Sequence, residues 1–201
     1  MTAETWIRLQ HMDIGAIEIQ LALQCAPVIL GLKPSNLLQL PKKERRRAEE
    51  LLKLTEIKSL SLYEGKPEAS KNEKAVFFLY RKKPLLSYLK NPAVVQLLAG
   101  LGYADFSFHA LLSALSARYG AYREKGADFP HEIGVFLGYP VSDVRGFVEN
   151  EGKNCLYAGY WKVYEDAERK RKLFWYYERA AELLIQLLAQ GASIEDVLAC
   201  A

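Results

Sequence analysis

The chain has 201 residues, half of them hydrophobic and a quarter charged, which supplies a sizeable core and excludes general disorder. A net charge of +3 is too mild for a protein that works by neutralising phosphates, so a nucleic-acid role ranks low. Three widely spaced cysteines (Cys25, Cys155, Cys200) and an N-terminus without a secretory leader's basic start predict a cytoplasmic protein with no disulfide framework. The apolar stretches at 19–32 and 180–189 are interrupted and too short to cross a bilayer, so no membrane partner is expected.

Residues 13–24 carry Ile14, Ile17 and Leu21 at helical spacing, with Asp13 as the expected N-cap. Pro27, Gly31 and Pro34 then interrupt the pattern, so Cys25–Asn36 reads as a helix end running into a turn. Helical spacing returns over Lys42–Thr55, with Leu51, Leu52 and Leu54 on one side. The KKERRR run in this helix resembles a phosphate patch, but Glu44, Glu49 and Glu50 are interleaved at ion-pairing distance, which favours a solvated face. Two strands follow. Lys58–Tyr63 alternates serine with leucine as a half-buried strand does, and Ala75–Tyr80 is apolar throughout, as a central strand is. The polar stretch Glu64–Lys74, with Gly65 and Pro67, predicts a long mobile hairpin loop between them.

Helical segments are expected over 84–90, 92–100 and 106–119, with Asn91-Pro92 as a cap and first helical position and Asp105 as another cap. After a polar loop ending in Phe129-Pro130, short helices over His131–Leu137 and Val141–Asn150 flank Gly138-Tyr139-Pro140, with Ser142 or Asp143 near the second start. Alternation over Tyr157–Tyr164 predicts a third strand, with Tyr160, Lys162 and Tyr164 on one face and Trp161 and Val163 on the other. A long helix over 166–190 and a short one opened by Ser193 complete the chain. With no repeat and no linker, residues 1–201 read as a single domain of the α+β class: a small, mainly antiparallel sheet of about three strands, covered by several helices and ending in a long C-terminal helix.

The segments HEIGVFLGYPVSDVRGFVENEGKN (131–154) and GYWKVY (159–164), with CAPVILGLKPSNL upstream, resemble domain-of-unknown-function family 3793. The resemblance runs from about Cys25 to the middle of the final long helix. It implies a small bacterial protein, mostly of anaerobic Gram-positive lineages, and carries no assigned activity. The family's characteristic positions correspond to Cys25, Ala26, Pro27, Gly31, Lys33 and Asn36 in the first block. In the second they correspond to Pro130, His131, Glu132, Gly134, Gly138, Tyr139, Pro140, Asp143, Val144, Gly146, Asn150, Gly159, Trp161, Lys162 and Tyr164. This chain departs from the family in carrying Gln24 where a histidine often precedes the cysteine. It also has a single cysteine, Cys155, where members often carry several. Chemistry built on a His-Cys pair or a cysteine cluster would therefore be missing here, which weakens any metal reading.

Cys25 is either a nucleophile, tuned by a helix terminus, Lys33 or His131, or a buried small hydrophobe. His131-Glu132 does not begin a zinc-protease motif, because Val135 stands where the second histidine belongs. His131 then serves as a general base or phosphate-binding group, or braces a helix start. Gly152-Lys153-Asn154 lacks the frame of a P-loop, and Trp175-Tyr176-Tyr177 reads as packing. Tyr160, Lys162 and Tyr164 suit an anion or a flat ligand, or simply a solvent-facing strand. Arg81 joins Lys162 if their strands are neighbours.

The resulting expectation is a pocket between the Cys25–Asn36 turn and the His131–Tyr164 block. Lys33, Asn36, Arg81, Tyr160, Lys162 and Tyr164 would hold an anionic small molecule or phosphate-bearing cofactor there, with Cys25 and His131 as the candidate catalytic pair. No metal, no identified cofactor and no reaction follow from the residues. The alternative is a non-catalytic accessory or adaptor protein that binds a protein partner through the surface around Tyr139.

Overall fold

A computed structural model describes residues 1–53, 55–64 and 74–199. Leu54, Cys200 and most of the loop expected over 64–74 lie outside the described residues. The backbone gathers into two compact units, Met1–Lys82 with Tyr177–Ala201, and Lys83–Tyr176.

In the first unit, α1 (Ala3–Gln10) is capped by Thr2, whose Oγ1 accepts from the Thr5 amide at 3.3 Å. Helix α2 (Ile17–Ile29) starts later than the apolar spacing suggests. Asp13 holds the preceding turn by accepting from the Gly15 amide (2.9 Å), so its carboxylate is used before the helix begins, and Ala16 occupies the N-cap. The end of α2 is closed by two reciprocal bonds, Leu32 N–H to the Pro27 carbonyl (2.8 Å) and Gly31 N–H to the Val28 carbonyl (3.2 Å). Gly31 sits at φ +71°, the left-handed conformation this helix ending requires.

The chain then enters β1 (Ser35–Pro41), a short 3₁₀ turn at Lys42–Glu44, and α3 (Arg45–Leu52). Arg45 and Arg46 pair with Glu49 and Glu50 across single helical turns, each at 3.0 Å, so the basic run is the solvated face that the interleaved glutamates predict. Strand β2 (Lys58–Tyr63) and β3 (Lys74–Tyr80) complete an antiparallel sheet of order β1-β3-β2. Its register sets Ser35 opposite Tyr80 on one side of β3 and Lys58 opposite Tyr80 on the other. Central β3 is buried from Ala75 to Leu79, as its unbroken apolar run requires. The core of this unit packs α2 and the sheet against Ala181, Leu184 and Ile185 of α9 (Ala167–Ala189), with Ile194 and Leu198 of α10 (Ile194–Ala199).

The second unit contains α4 (Lys82–Leu89) from its second residue, α5 (Pro92–Gly100), α6 (Phe108–Lys125), α7 (Ile133–Phe136) and α8 (Val141–Glu149). Asn91 caps α5 as expected, accepting from the Ala93 amide. Ser107 caps α6, while Asp105 accepts from the Ser107 amide and so braces the cap without being it. The strand expected over Tyr157–Tyr164 is a tight hairpin of two two-residue strands, β4 (Tyr157–Ala158) and β5 (Lys162–Val163), in a sheet of their own. The chain reverses at Gly159, whose amide donates to the Trp161 carbonyl at 3.1 Å. The third strand of the main sheet is β1. Arg81 and Lys162 therefore do not end neighbouring strands.

Candidate functional site

The first motif block lies wholly in the first unit. Cys25 is fully buried on α2, and Lys33, only 4% exposed, donates to Asn36 Oδ1 at 2.6 Å. The Asn36 amide in turn donates to the carbonyls of Gln24 and Leu37. Burial pushes the Cys25 thiol up to about 12, against the pull of Lys33 and a hydrogen bond with Asn36. Burial likewise brings the Lys33 amine down to about 7, opposed by Cys25. Near neutral pH the sulfur is thus a protonated thiol, the weakly nucleophilic form. Arg81 donates from Nε to the Val28 carbonyl (2.8 Å) and from Nη2 to the Ile29 carbonyl (2.6 Å). A guanidinium on the last carbonyls of α2 completes that helix end and complements its partial negative charge.

The second block lies wholly in the second unit and is organised by a carboxylate. Asp143, 1% exposed, lies in the first turn of α8, where no side chain makes a cap hydrogen bond, and its carboxylate is engaged by other elements. One of its oxygens accepts from Trp161 Nε1 at 2.7 Å, and the other accepts from the amides of Tyr164 (2.8 Å) and Glu165 (3.2 Å). Lys170, 8% exposed, approaches Asp143 at 3.8 Å and donates to the Glu165 carbonyl at 2.8 Å. This one side chain ties α8, β5 and the start of α9 together. A second buried carboxylate, Glu132, accepts from Tyr103 (3.2 Å) and Arg118 (3.1 Å). Nothing in the local sequence marks Lys170, Tyr103 or Arg118. Their roles depend on which distant carboxylate each one meets, and no local spacing encodes that.

His131 is exposed, with its ring 5.3 Å from Phe129 and 5.1 Å from Phe147. Lys162 donates to the Gly152 carbonyl at 2.6 Å and lies 5.8 Å from the Phe147 ring. Tyr160 and Tyr164 share the less buried side of the hairpin with Lys162, while Trp161 and Val163 are buried, as the alternation predicts. The Tyr164 ring lies over Gly146, where a Cβ would come within 2.5 Å of its Cγ, so only glycine leaves room for this contact. Its hydroxyl is shielded from solvent without a hydrogen bond. Tyr139 stacks on Trp161 at 4.5 Å, and its carbonyl accepts from the Tyr88 hydroxyl. Its own hydroxyl, pushed up to about 12 by burial, donates to the Tyr160 carbonyl at 3.4 Å.

The eight site residues expected from the sequence thus divide into Cys25, Lys33, Asn36 and Arg81 in one unit and His131, Tyr160, Lys162 and Tyr164 in the other.

Beside the Asp143 network, within the second unit, is a cleft of about 600 Å³ between the start of α8 and the first turns of α9. That volume falls in the range of small-molecule sites, roughly 300–1,000 Å³. Its walls include Ser142, Glu165, Asp166, Arg169, Lys172 and Tyr176. The four charged members make no ion pair or side-chain hydrogen bond among the described residues. Buried Lys170 lines it too, held by Asp143 and Glu165. A smaller cleft of about 470 Å³ in the first unit is bordered by Glu18 and Arg47, which already pair with each other.

A sequence model of one family, described as "Protein of unknown function (DUF3793)", matches residues 21–198. The chain belongs to that family. The match extends beyond both ends of the stretch that the motifs mark out, taking in four further residues of α2 and the rest of α9 and most of α10. Compared with curated proteins and with solved structures, this DUF3793 chain matches none of either. Among its described residues, no group of three or more His, Cys, Asp or Glu side chains is gathered as a metal site would need, and no helix is long and apolar enough to cross a membrane.

Proposed function

We propose that this DUF3793 protein binds a small molecule through an anionic group, a carboxylate or a phosphate, in the cleft between the start of α8 and the first turns of α9. The observation that carries the reading is the pair Arg169 and Lys172, two cations without a partner among the described residues on the wall of a ligand-sized concavity. A cation that lines a cleft and has no internal partner is available to an incoming carboxylate or phosphate. The cations first expected to do this work are engaged elsewhere: Lys33 with Asn36, Arg81 with the end of α2, and Lys162 with the Gly152 carbonyl. Their proposed role is to hold the frame, with Cys25 as packing and His131 as part of an exposed ring cluster. Ser142 adds a hydroxyl and Tyr176 an exposed ring to the proposed site.

A protein partner at Tyr139 is the less supported reading, because that ring and both its polar atoms are engaged internally.

Thermal shift of the full chain against inorganic phosphate, carboxylates and phosphorylated metabolites tests the proposal. Stabilisation that disappears in the double variant Arg169→Gln/Lys172→Gln supports it. Stabilisation that survives in the double variant, or a flat screen, contradicts it.

A further inference from the structure

The charges along the cleft are ordered. In chain order along the cleft, Glu165 and Asp166 come first, in the turn that leads into α9, and Arg169, Lys172 beside Leu173, and Tyr176 follow on the helix. Spacings of three and four residues keep Arg169, Lys172, Leu173 and Tyr176 on one face of α9, and the seven residues of rise from Arg169 to Tyr176 make this part of the wall about 10 Å long. Neither carboxylate nor either cation is neutralised by another side chain among the described residues. Such a wall offers a ligand two unlike charges and an apolar end. A simple anion would satisfy the cations and face repulsion from the two carboxylates just before the helix. A simple amine would meet the reverse.

We infer that the ligand is zwitterionic: a free α-amino acid or a close analogue. Its ammonium faces Glu165 and Asp166, its carboxylate faces Arg169 and Lys172, and its side chain lies toward Leu173 and Tyr176. This inference rests on the binding reading above and names the chemical class that the same cleft selects. Ser142, on the opposite wall at the start of α8, adds a hydroxyl within the cleft that can bond either group. Lys170 does not compete for the carboxylate, because Asp143 and the Glu165 carbonyl already occupy its ammonium. The same contacts fix the start of α9, so the two charged groups of the ligand are met by a wall that is already in place.

The test is a calorimetric titration of the full chain with each of the twenty common α-amino acids. L-phenyllactate, which lacks the ammonium, phenethylamine, which lacks the carboxylate, and inorganic phosphate are run alongside. At least one amino acid should bind at least about tenfold more tightly than phenyllactate, phosphate and phenethylamine. Glu165→Gln/Asp166→Asn should remove that advantage and leave phenyllactate binding unchanged or improved. Arg169→Gln/Lys172→Gln should abolish binding of both, with circular dichroism confirming that each variant is folded. If phenyllactate or phosphate binds as tightly as every amino acid, the zwitterion inference is overturned and the anion reading stands. If none of the probes binds, both fail.

Discussion

The two motif blocks bury charge in different ways. In the first unit, the Lys33 ammonium is sunk beside a neutral amide and a thiol, and burial brings it down to about 7. In the second, the Asp143 carboxylate is sunk among an indole N–H, two backbone amides and a nearby ammonium. A buried charge set beside weak dipoles is costly and gives up its proton state, whereas one surrounded by donors becomes a joint between elements. The first arrangement makes folding sensitive to pH. The second fixes the wall of a cleft.

The strongest way to break the contrast is at the joint. Asp143→Ala leaves Lys170 with a buried, unpaired charge and strips acceptors from Trp161 and two amides. It should cost about 3–5 kcal/mol in urea denaturation followed by tryptophan fluorescence. Asp143→Asn, which retains an acceptor, should cost less.

The pH dependence comes next. An unfolded lysine titrates near 10.5 and Lys33 near 7, so between these values the unfolded chain binds more protons and stability rises with pH. Cys25 acts in the opposite direction. Its thiol goes from 9.0 unfolded to about 12 folded, so above about pH 9 the folded chain binds more protons and stability falls. The net expectation is a rise from pH 7 to 9 of up to about 1.4 kcal/mol per pH unit, levelling off above that. Urea midpoints across this range should show the rise in the native chain and its absence in Lys33→Met.

Gly146→Ala should cost about 1–3 kcal/mol by forcing a methyl group against the Tyr164 ring, read as a lower thermal midpoint. The smallest effect is a gain. Glu151, two residues past the end of α8, sits at φ +51°, and Glu151→Gly should stabilise by about 1 kcal/mol in the same assay.

Much of this architecture was legible in the chain because its signals are local. The apolar run of β3, the Asn91-Pro92 start of α5 and the arginine-glutamate pairs of α3 each follow from neighbours a few residues apart. Strand β1 was harder to read, with prolines at both ends and little alternation. It is tolerated because it lies at the sheet edge, where Pro41 costs no central ladder bond. The hairpin at 157–164 looks like one strand in the sequence because burial still alternates from Tyr160 to Tyr164 across its second arm. The site was less legible than the fold. Arg169, Lys170, Arg171 and Lys172 form a run of four cations, yet Lys170 meets Asp143, Arg171 lies 4.9 Å from the Tyr157 ring, and Arg169 and Lys172 border the cleft. Only the fold sorts them, since each fate depends on a residue more than ten positions away.

Amide chemical-shift mapping of the full chain reads occupancy of the cleft residue by residue. Titration with inorganic phosphate and with L-phenylalanine should move saturable resonances at Ser142, residues 165–172 and Tyr176, and the Arg169→Gln/Lys172→Gln variant should lose them. Shifts centred on Lys33, Arg81 or His131, or no saturable shift with either probe, would contradict the account.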